Sequence, residues 1–337
     1  MADRTSIEWT DATWNVLRGC SRVSQGCVNC YAEVMAARFS KPGQWGHGRA
    51  EMVQCQDGSV DHRWTGKVAF VEDALDLPLR WKKPRRIFVN STSDLFHESV
   101  PDDWIDRVFA VMALCPRHTF QVLTKRPERA QAYLTNPNLQ RDIEAAAGAW
   151  LGEDAECFVA NWINGWSRPQ EASSDSNPAN GTVRRWPLPN VWIGTSVEDQ
   201  KTADERIPKL LAAPAAVRFV SAEPLLGPVK IFNNDIGPDP DGLLLDWVIV
   251  GGESGPGARP MHPDWARDLR DQCVSAGTPF FFKQWGEWGP ASIDAKKMPQ
   301  ISFAPYTPAD QLAKHGKAKA GRTLDGRTWD QMPRAFA

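Results

Sequence analysis

Six short apolar runs, each ending in small, polar or charged residues, constrain this chain most. They occupy 86–94, 119–126, 190–198, 217–224, 246–254 and 279–284, and Trp14-Asn15-Val16-Leu17 adds a seventh. Near-continuous apolar runs suit strands buried on both faces, as in a parallel sheet. Helical patterns separate several of them. Between 101 and 114, Trp104, Ile105, Val108, Phe109 and Met112 recur at three- and four-residue steps, with Asp102 and Asp103 in the first turn. Ile207, Leu210 and Leu211 do the same within 199–213, and Trp265, Leu269 and Cys273 within 263–276, where Gly277 supplies a stop. This alternation predicts an α/β fold. No Gly-x-Gly-x-x-Gly opens a helix after a strand, so a partial or complete parallel (β/α) barrel fits better than a dinucleotide-binding sheet.

Barrel enzymes build their sites at the C-terminal ends of the strands. Here those ends carry Asp94, Lys125, Glu198, Glu223, Glu253 and Lys283. One such residue would only start a helix; six predict a functional rim. Two segments break the pattern. The stretch 127–189 is too long for a simple crossover and reads as an insertion, helical over 128–150 and an exposed Ser/Asn/Pro/Gly-rich loop over 167–182. The part 291–337 has weak periodicity and reads as an irregular C-terminal extension packing on a barrel domain of 1–290; its Lys314, Lys317 and Lys319 read as solvated surface.

With 39 Lys+Arg against 41 Asp+Glu, the net charge of −2 argues against a generic basic coat for nucleic acid, though not against a local basic groove. The 16 Trp are read mostly as core filling. No apolar run approaches the ~18 residues of a membrane span, and no signal-peptide pattern opens the chain. A cytoplasmic protein without membrane contact is expected. Seven Cys, an odd count, do not suggest a disulfide framework.

Three of those Cys stand together. Cys20, Cys27 and Cys30 have the spacing C-x6-C-x2-C in a loop where Gly19 and Gly26 each precede a Cys. A helix is expected after Cys30. Three converging thiolates admit a four-iron cluster with one iron left open, where S-adenosylmethionine can be chelated. They equally admit a structural zinc, with Cys55, His47 or His62 as fourth ligand and 41–61 folded over the site. Cys115, Cys157 and Cys273 read as ordinary buried thiols.

The chain resembles the three-Cys-motif proteins common in phages and bacteria, relatives of the radical S-adenosylmethionine enzymes. The likeness covers most of the chain. It rests on Ile7 to Asn15, Gly19-Cys20 with Cys27-Val28-Asn29-Cys30-Tyr31-Ala32-Glu33, Phe88 to Phe96 and Gln121 to Pro127. It continues through Val191 to Glu198, Phe219 to Gly227, Trp247 to Gly255, Phe282 to Glu287 and Arg322 to Trp329. The chain departs from the usual C-x3-C-x2-C in its longer first gap, and Asn29 stands where an aromatic residue precedes the third Cys.

The resemblance implies a radical-enzyme-like partial barrel, with the three-Cys loop (19–31) after the first strand. It also implies a [4Fe-4S] cluster on Cys20, Cys27 and Cys30, bound S-adenosylmethionine, and an electron donor. A 5′-deoxyadenosyl radical would then abstract hydrogen from a substrate. By position, Asp94 is assigned to the methionine ammonium, with Ser93 beside it as contact or helix N-cap. Lys125 and Arg126 are assigned to the methionine carboxylate, and Ser196 and Glu198 to the ribose. Gly251, Gly252 and Glu253 are assigned to the adenine. Glu223, Lys283 and Gln284 are left as catalytic candidates toward substrate. A nucleic acid or nucleotide substrate is permitted by Arg80, Arg85, Arg86, Arg126 and Arg129. The rival expectation is a non-catalytic zinc module that binds nucleic acid or a protein partner.

Overall fold

The structure is a computed structural model that describes residues 5–164, 186–232, 245–255, 257–291, 298–303 and 311–333. Strands β1 (Ala12–Trp14) and β2 (Leu17–Arg18) lead into the Cys loop, and helix α1 (Tyr31–Arg38) leaves it. A hairpin of β3 (Ala50–Gln54) and β4 (Val60–Trp64) follows, then β5 (Ala69–Phe70), which pairs antiparallel with β2. Two helical turns, α2 (Glu72–Leu75) and α3 (Leu77–Arg80), precede β6 (Arg86–Val89), α4 (Asp102–Leu114) and β7 (Thr119–Thr124). Then come α5 (Pro127–Leu134), α6 (Leu139–Leu151) and α7 (Glu153–Asn164). The chain continues with β8 (Val191–Ser196), α8 (Gln200–Leu211), β9 (Val217–Ala222), β10 (Trp247–Gly251), α9 (Pro263–Ala276) and β11 (Phe280–Gln284).

Seven strands form one parallel sheet in the order β1-β6-β7-β8-β9-β10-β11. Its two edge strands, β1 and β11, do not pair with each other. The barrel is therefore partial, a curled sheet with helices.

Side-chain alternation gives the sheet two buried faces. Ile193, Val220, Val248, Phe280 and Phe282 point outward into the large core shared with the helices. Trp192, Phe219, Trp247 and Phe281 point into the concave side, where Trp9 packs edge-on to Trp247 at 6.1 Å. These rings fill the floor of the half-barrel. Burying each contributes roughly 1.5–3 kcal/mol. Among the described residues no Trp is exposed, as expected of core filling.

The helix signals act as their chemistry requires. Asp199 accepts from Thr202 N at 2.8 Å in a capping box at the start of α8. Gly277 takes the left-handed φ of 70° that ends α9.

Three expectations need correction. The helix expected over 128–150 is two, because Pro137 follows the end of α5 and cannot continue it; the loop expected over 167–182 lies outside the described residues. Cys157 is exposed, on the outer face of α7. The C-terminal part is less irregular than expected: β12 (Trp288–Pro290), β13 (Gln300–Ser302) and β14 (Gln311–Lys314) form an antiparallel sheet. After α10 (Lys317–Ala320), β15 (Thr323–Leu324) and β16 (Arg327–Thr328) form a hairpin. Strands of two to four residues are too short to show an alternation. No described helix is long and apolar enough to cross a membrane.

Candidate functional site

The loop between β2 and α1 crosses the C-terminal ends of the parallel strands and is tied to the segments that follow β6, β7, β8 and β10. After β6, Asn90 takes φ 59°, a left-handed backbone that asparagine tolerates, and its Oδ1 accepts from Val16 N and Leu17 N at 3.1 Å each. Ser93 forms an isolated bridge with Gly19 and donates through Oγ to Leu17 O at 3.1 Å. It caps no helix, since α4 starts only at Asp102.

After β7, Arg126 is buried with its guanidinium fully engaged. Nε meets Glu98 Oε2 at 2.7 Å, and Nη1 meets Asp94 Oδ2 at 3.0 Å and Cys20 Sγ at 3.8 Å. Nη2 donates to Ser21 O and Oγ at 3.2 and 2.7 Å. Asp94 is equally occupied. Its Oδ1 accepts from Phe96 N and Thr124 Oγ1, and its Oδ2 from Lys125 N and Arg126. These bonds take up the acceptor capacity of the carboxylate. Asp94 and Arg126 thus hold the loop rather than offering free charges to an ammonium and a carboxylate.

After β8, Glu198 is completely buried and pairs with Lys125 Nζ at 2.8 Å and Arg206 Nη1 at 3.2 Å. Its Oε1 also accepts from Ser24 Oγ of the Cys loop at 3.0 Å. Burial raises its pKa, but the charges of Lys125 and Arg206 outweigh this and hold it below the ordinary carboxylate value. Its carboxylate is taken up by the protein's own groups. After β10, Glu253 Oε2 accepts from Asn29 Nδ2 at 2.8 Å and from Arg259 Nε at 2.9 Å. Arg259 Nη2 reaches on to Gln25 O at 2.9 Å. Gly252 is required by close packing, since a Cβ there would lie 1.9 Å from Trp285 O. Its neighbour Gly251 faces Glu223. Both glycines therefore serve the protein's own contacts.

The three thiols occupy one loop under these ties. Burial and the Asp94 charge push the Cys20 thiol up to about 12, with Arg126 opposing. Burial also raises Cys30, the N-cap of α1, against the opposing amides of Glu33 and Ala32. Cys30 acts electrostatically on Cys20, and Cys27 on Cys30. Yet among the described residues no three His, Cys, Asp or Glu converge on a single metal ion. A tetrahedral zinc with Zn–S near 2.3 Å would need such convergence. A four-iron cluster is wider, because each sulfur binds a different iron. Three thiol donors of one loop suit the cysteine ligation of an iron–sulfur cluster. Cys55, proposed as a fourth zinc ligand, sits in the turn of the β3–β4 hairpin, where its N–H donates to Ser59 O at 2.8 Å. The segment 41–61 is thus a run of turns over 41–49 followed by this hairpin.

Above the aromatic floor, the same alternation places Lys125, Ser196, Ser221, Glu223 and Lys283 on the concave side. Ser196 is buried, and its carbonyl accepts from Arg206 Nη1 at 2.8 Å. Lys283 Nζ pairs with Glu223 Oε1 at 2.6 Å, and Gln284 Nε2 reaches the same oxygen at 3.5 Å and donates to Ser254 Oγ at 3.0 Å. The three catalytic candidates therefore share one cluster. Asn90 Nδ2, Gln121 Oε1 and Gln284 Oε1 are buried without a partner among the described residues. Tyr31 lies at this mouth, its hydroxyl donating to Ser91 O while its ring stays open to solvent. Burial of the hydroxyl pushes it up to about 12, with Ser91 opposing and the Cys30 and Glu223 charges adding.

Sequence reasoning missed Ser21, Ser24, Glu98 and Arg259 as loop anchors. Only the closeness of Ser21 and Ser24 to the Cys offered a signal.

Comparison with known proteins adds a family. No curated protein matches the chain. Solved structures of spore photoproduct lyase are distantly similar. A cysteine-to-serine variant is 10% identical with TM-score 0.36, covering 92% of this chain and 70% of that one. The complex with dinucleoside spore photoproduct is 9% identical with TM-score 0.34, covering 90% and 68%. No property of that enzyme is carried over at these values. The model of the family described as a protein of unknown function, DUF5131, matches residues 4–333, and the chain belongs to that family.

Proposed function

We propose that this protein is a radical S-adenosylmethionine-like iron–sulfur enzyme, with its cluster held by Cys20, Cys27 and Cys30. The observation that carries the reading is the loop itself. Three thiols lie in one loop fastened to the segments that follow four barrel strands, above a concave face that carries the Glu223–Lys283 pair.

Such a cluster, when bound, supplies an open iron for S-adenosylmethionine and the electron that converts it to a hydrogen-abstracting 5′-deoxyadenosyl radical. The chain's own residues do the rest. Arg126 lies against Cys20 and offsets thiolate charge there. Glu198 and Glu253 fix the two ends of the 24–29 stretch. Lys125, whose side chain stays one-fifth exposed beside Glu198, is left to meet the methionine carboxylate. Glu223, Lys283 and Gln284 face the substrate, and the ring floor excludes water from below. An external electron donor is required.

The test is anaerobic reconstitution with iron and sulfide, reduction, and electron paramagnetic resonance with and without S-adenosylmethionine. The expected result is a cluster signal that changes on addition, with 5′-deoxyadenosine formed. One tightly held zinc and no cluster would overturn the reading in favour of a zinc module.

A further inference from the structure

Helix α1 leaves the third Cys with an apolar face that no described residue covers. Tyr31, Met35 and Phe39 are 55%, 41% and 42% exposed, and four-residue spacing puts them on one side of the helix. At 1.5 Å per residue this track runs about 12 Å outward from the mouth. The opposite side of α1 is buried through Ala32, Ala36 and Ala37, the last two packed with Ala50, Trp45 and Trp64. Phe39 meets the Trp45 ring with centroids 6.4 Å apart, so the outer end of the track carries a ring pair. Tyr31 is held in place at the inner end by its bond to Ser91 O.

Charge follows the same path. Arg38 and Lys41 flank Phe39, are exposed, and make no ion pair among the described residues. Arg18, Arg49 and Lys67, on the adjoining strand and hairpin segments, also make none. These unneutralised cations stand out in a chain of net charge −2. Two exposed rings, Tyr31 and Phe39, with the Met35 thioether between them and cations without ion pairs beside them, offer what a single-stranded nucleic acid requires: faces for bases and positive charge for phosphates.

We propose that the Tyr31–Met35–Phe39 face, with Arg38 and Lys41, binds single-stranded nucleic acid and leads one nucleotide to the Glu223–Lys283 mouth. The track deepens the proposed function and rests on it only for what happens to that nucleotide. Capture itself is independent of turnover.

The experiment measures fluorescence anisotropy of a labelled mixed-sequence 12-nucleotide DNA strand, with the full chain carrying its reconstituted cluster and no S-adenosylmethionine. Binding is expected at 50 mM salt, weakening as salt rises, and weaker for the same sequence as a duplex, whose bases are closed to stacking. Phe39→Ala is expected to weaken binding about tenfold and Phe39→Trp to retain it. Arg38→Gln with Lys41→Gln is expected to lower the slope of log K against log salt by about 1.4. Iron content and circular dichroism should match the unaltered chain, since all three side chains are exposed. No binding at low salt, equal binding of duplex, or indifference to both sets of substitutions would overturn the proposal. If reconstitution yields no cluster, the anisotropy still decides this point, so the two failures are separable.

Discussion

The carboxylate of Glu198 fills the space in which a side chain on Gly26 would lie, its Oε1 only 2.4 Å from the position of a Cβ there. The two residues are far apart in sequence, one between the first two Cys and the other after β8. Their contact explains why glycine stands before Cys27.

Gly26→Ala therefore displaces a fully buried carboxylate from Lys125 and Arg206. Breaking a buried pair of this kind costs about 3–5 kcal/mol, because Arg206 stays buried without its partner. A chemical denaturation curve should show that loss, and reconstituted protein should hold less than half the iron of the unaltered chain. An unchanged midpoint and full iron would mean the contact is slack.

Arg259→Gln tests the clamp on the other side of the loop. Arg259 joins Glu253 to Gln25 O, and its side chain is one-third exposed, so the fold should survive. Iron release to a chelator should be several-fold faster, since the loop loses one of its ties. A release rate equal to that of the unaltered protein would contradict the clamp.

Much of the scaffold was legible because local signals carry it. Ile87-Phe88-Val89 and Trp247-Val248-Ile249-Val250 are apolar at every position, as doubly covered strands must be. Asp199 and Thr202 announce the start of α8. The rim charges were visible too, but their partners were not. Glu198 meets Ser24 across 174 positions and Glu253 meets Asn29 across 224, and no periodicity reports such distances. Charges assigned to a ligand turned out to face the protein's own loop. The break within 128–150 was readable at Pro137. The two- to four-residue C-terminal strands left no pattern to read.

Asp106 lies apart from the Cys loop and makes stability depend on pH. Burial raises its carboxyl to about 6; the Tyr133 hydroxyl bond opposes this and the Asp142, Asp102 and Asp103 charges add to it. The folded state thus binds the proton more tightly than the unfolded chain, with its ordinary value of 3.8. The resulting stabilisation is full below that value and is lost as pH rises through about 6. Asp106→Asn keeps an acceptor for Tyr133 without the charge. It should stabilise the protein at pH 7.5 by about 1–2 kcal/mol, discounted for partial exposure. The gain should vanish below about pH 4. Thermal melts at both pH values check it, and a gain of equal size at each would contradict the assignment.

The central claim is that three thiols of one loop, and no fourth, hold a four-iron cluster. Iron and sulfide analysis after anaerobic reconstitution, across Cys20→Ser, Cys27→Ser, Cys30→Ser and Cys55→Ser, tests it most directly. The account predicts about four irons per chain for the unaltered protein and for Cys55→Ser, with little iron in the other three. A single zinc lost equally from all four variants, or a cluster that survives removal of Cys20, Cys27 or Cys30, would contradict it.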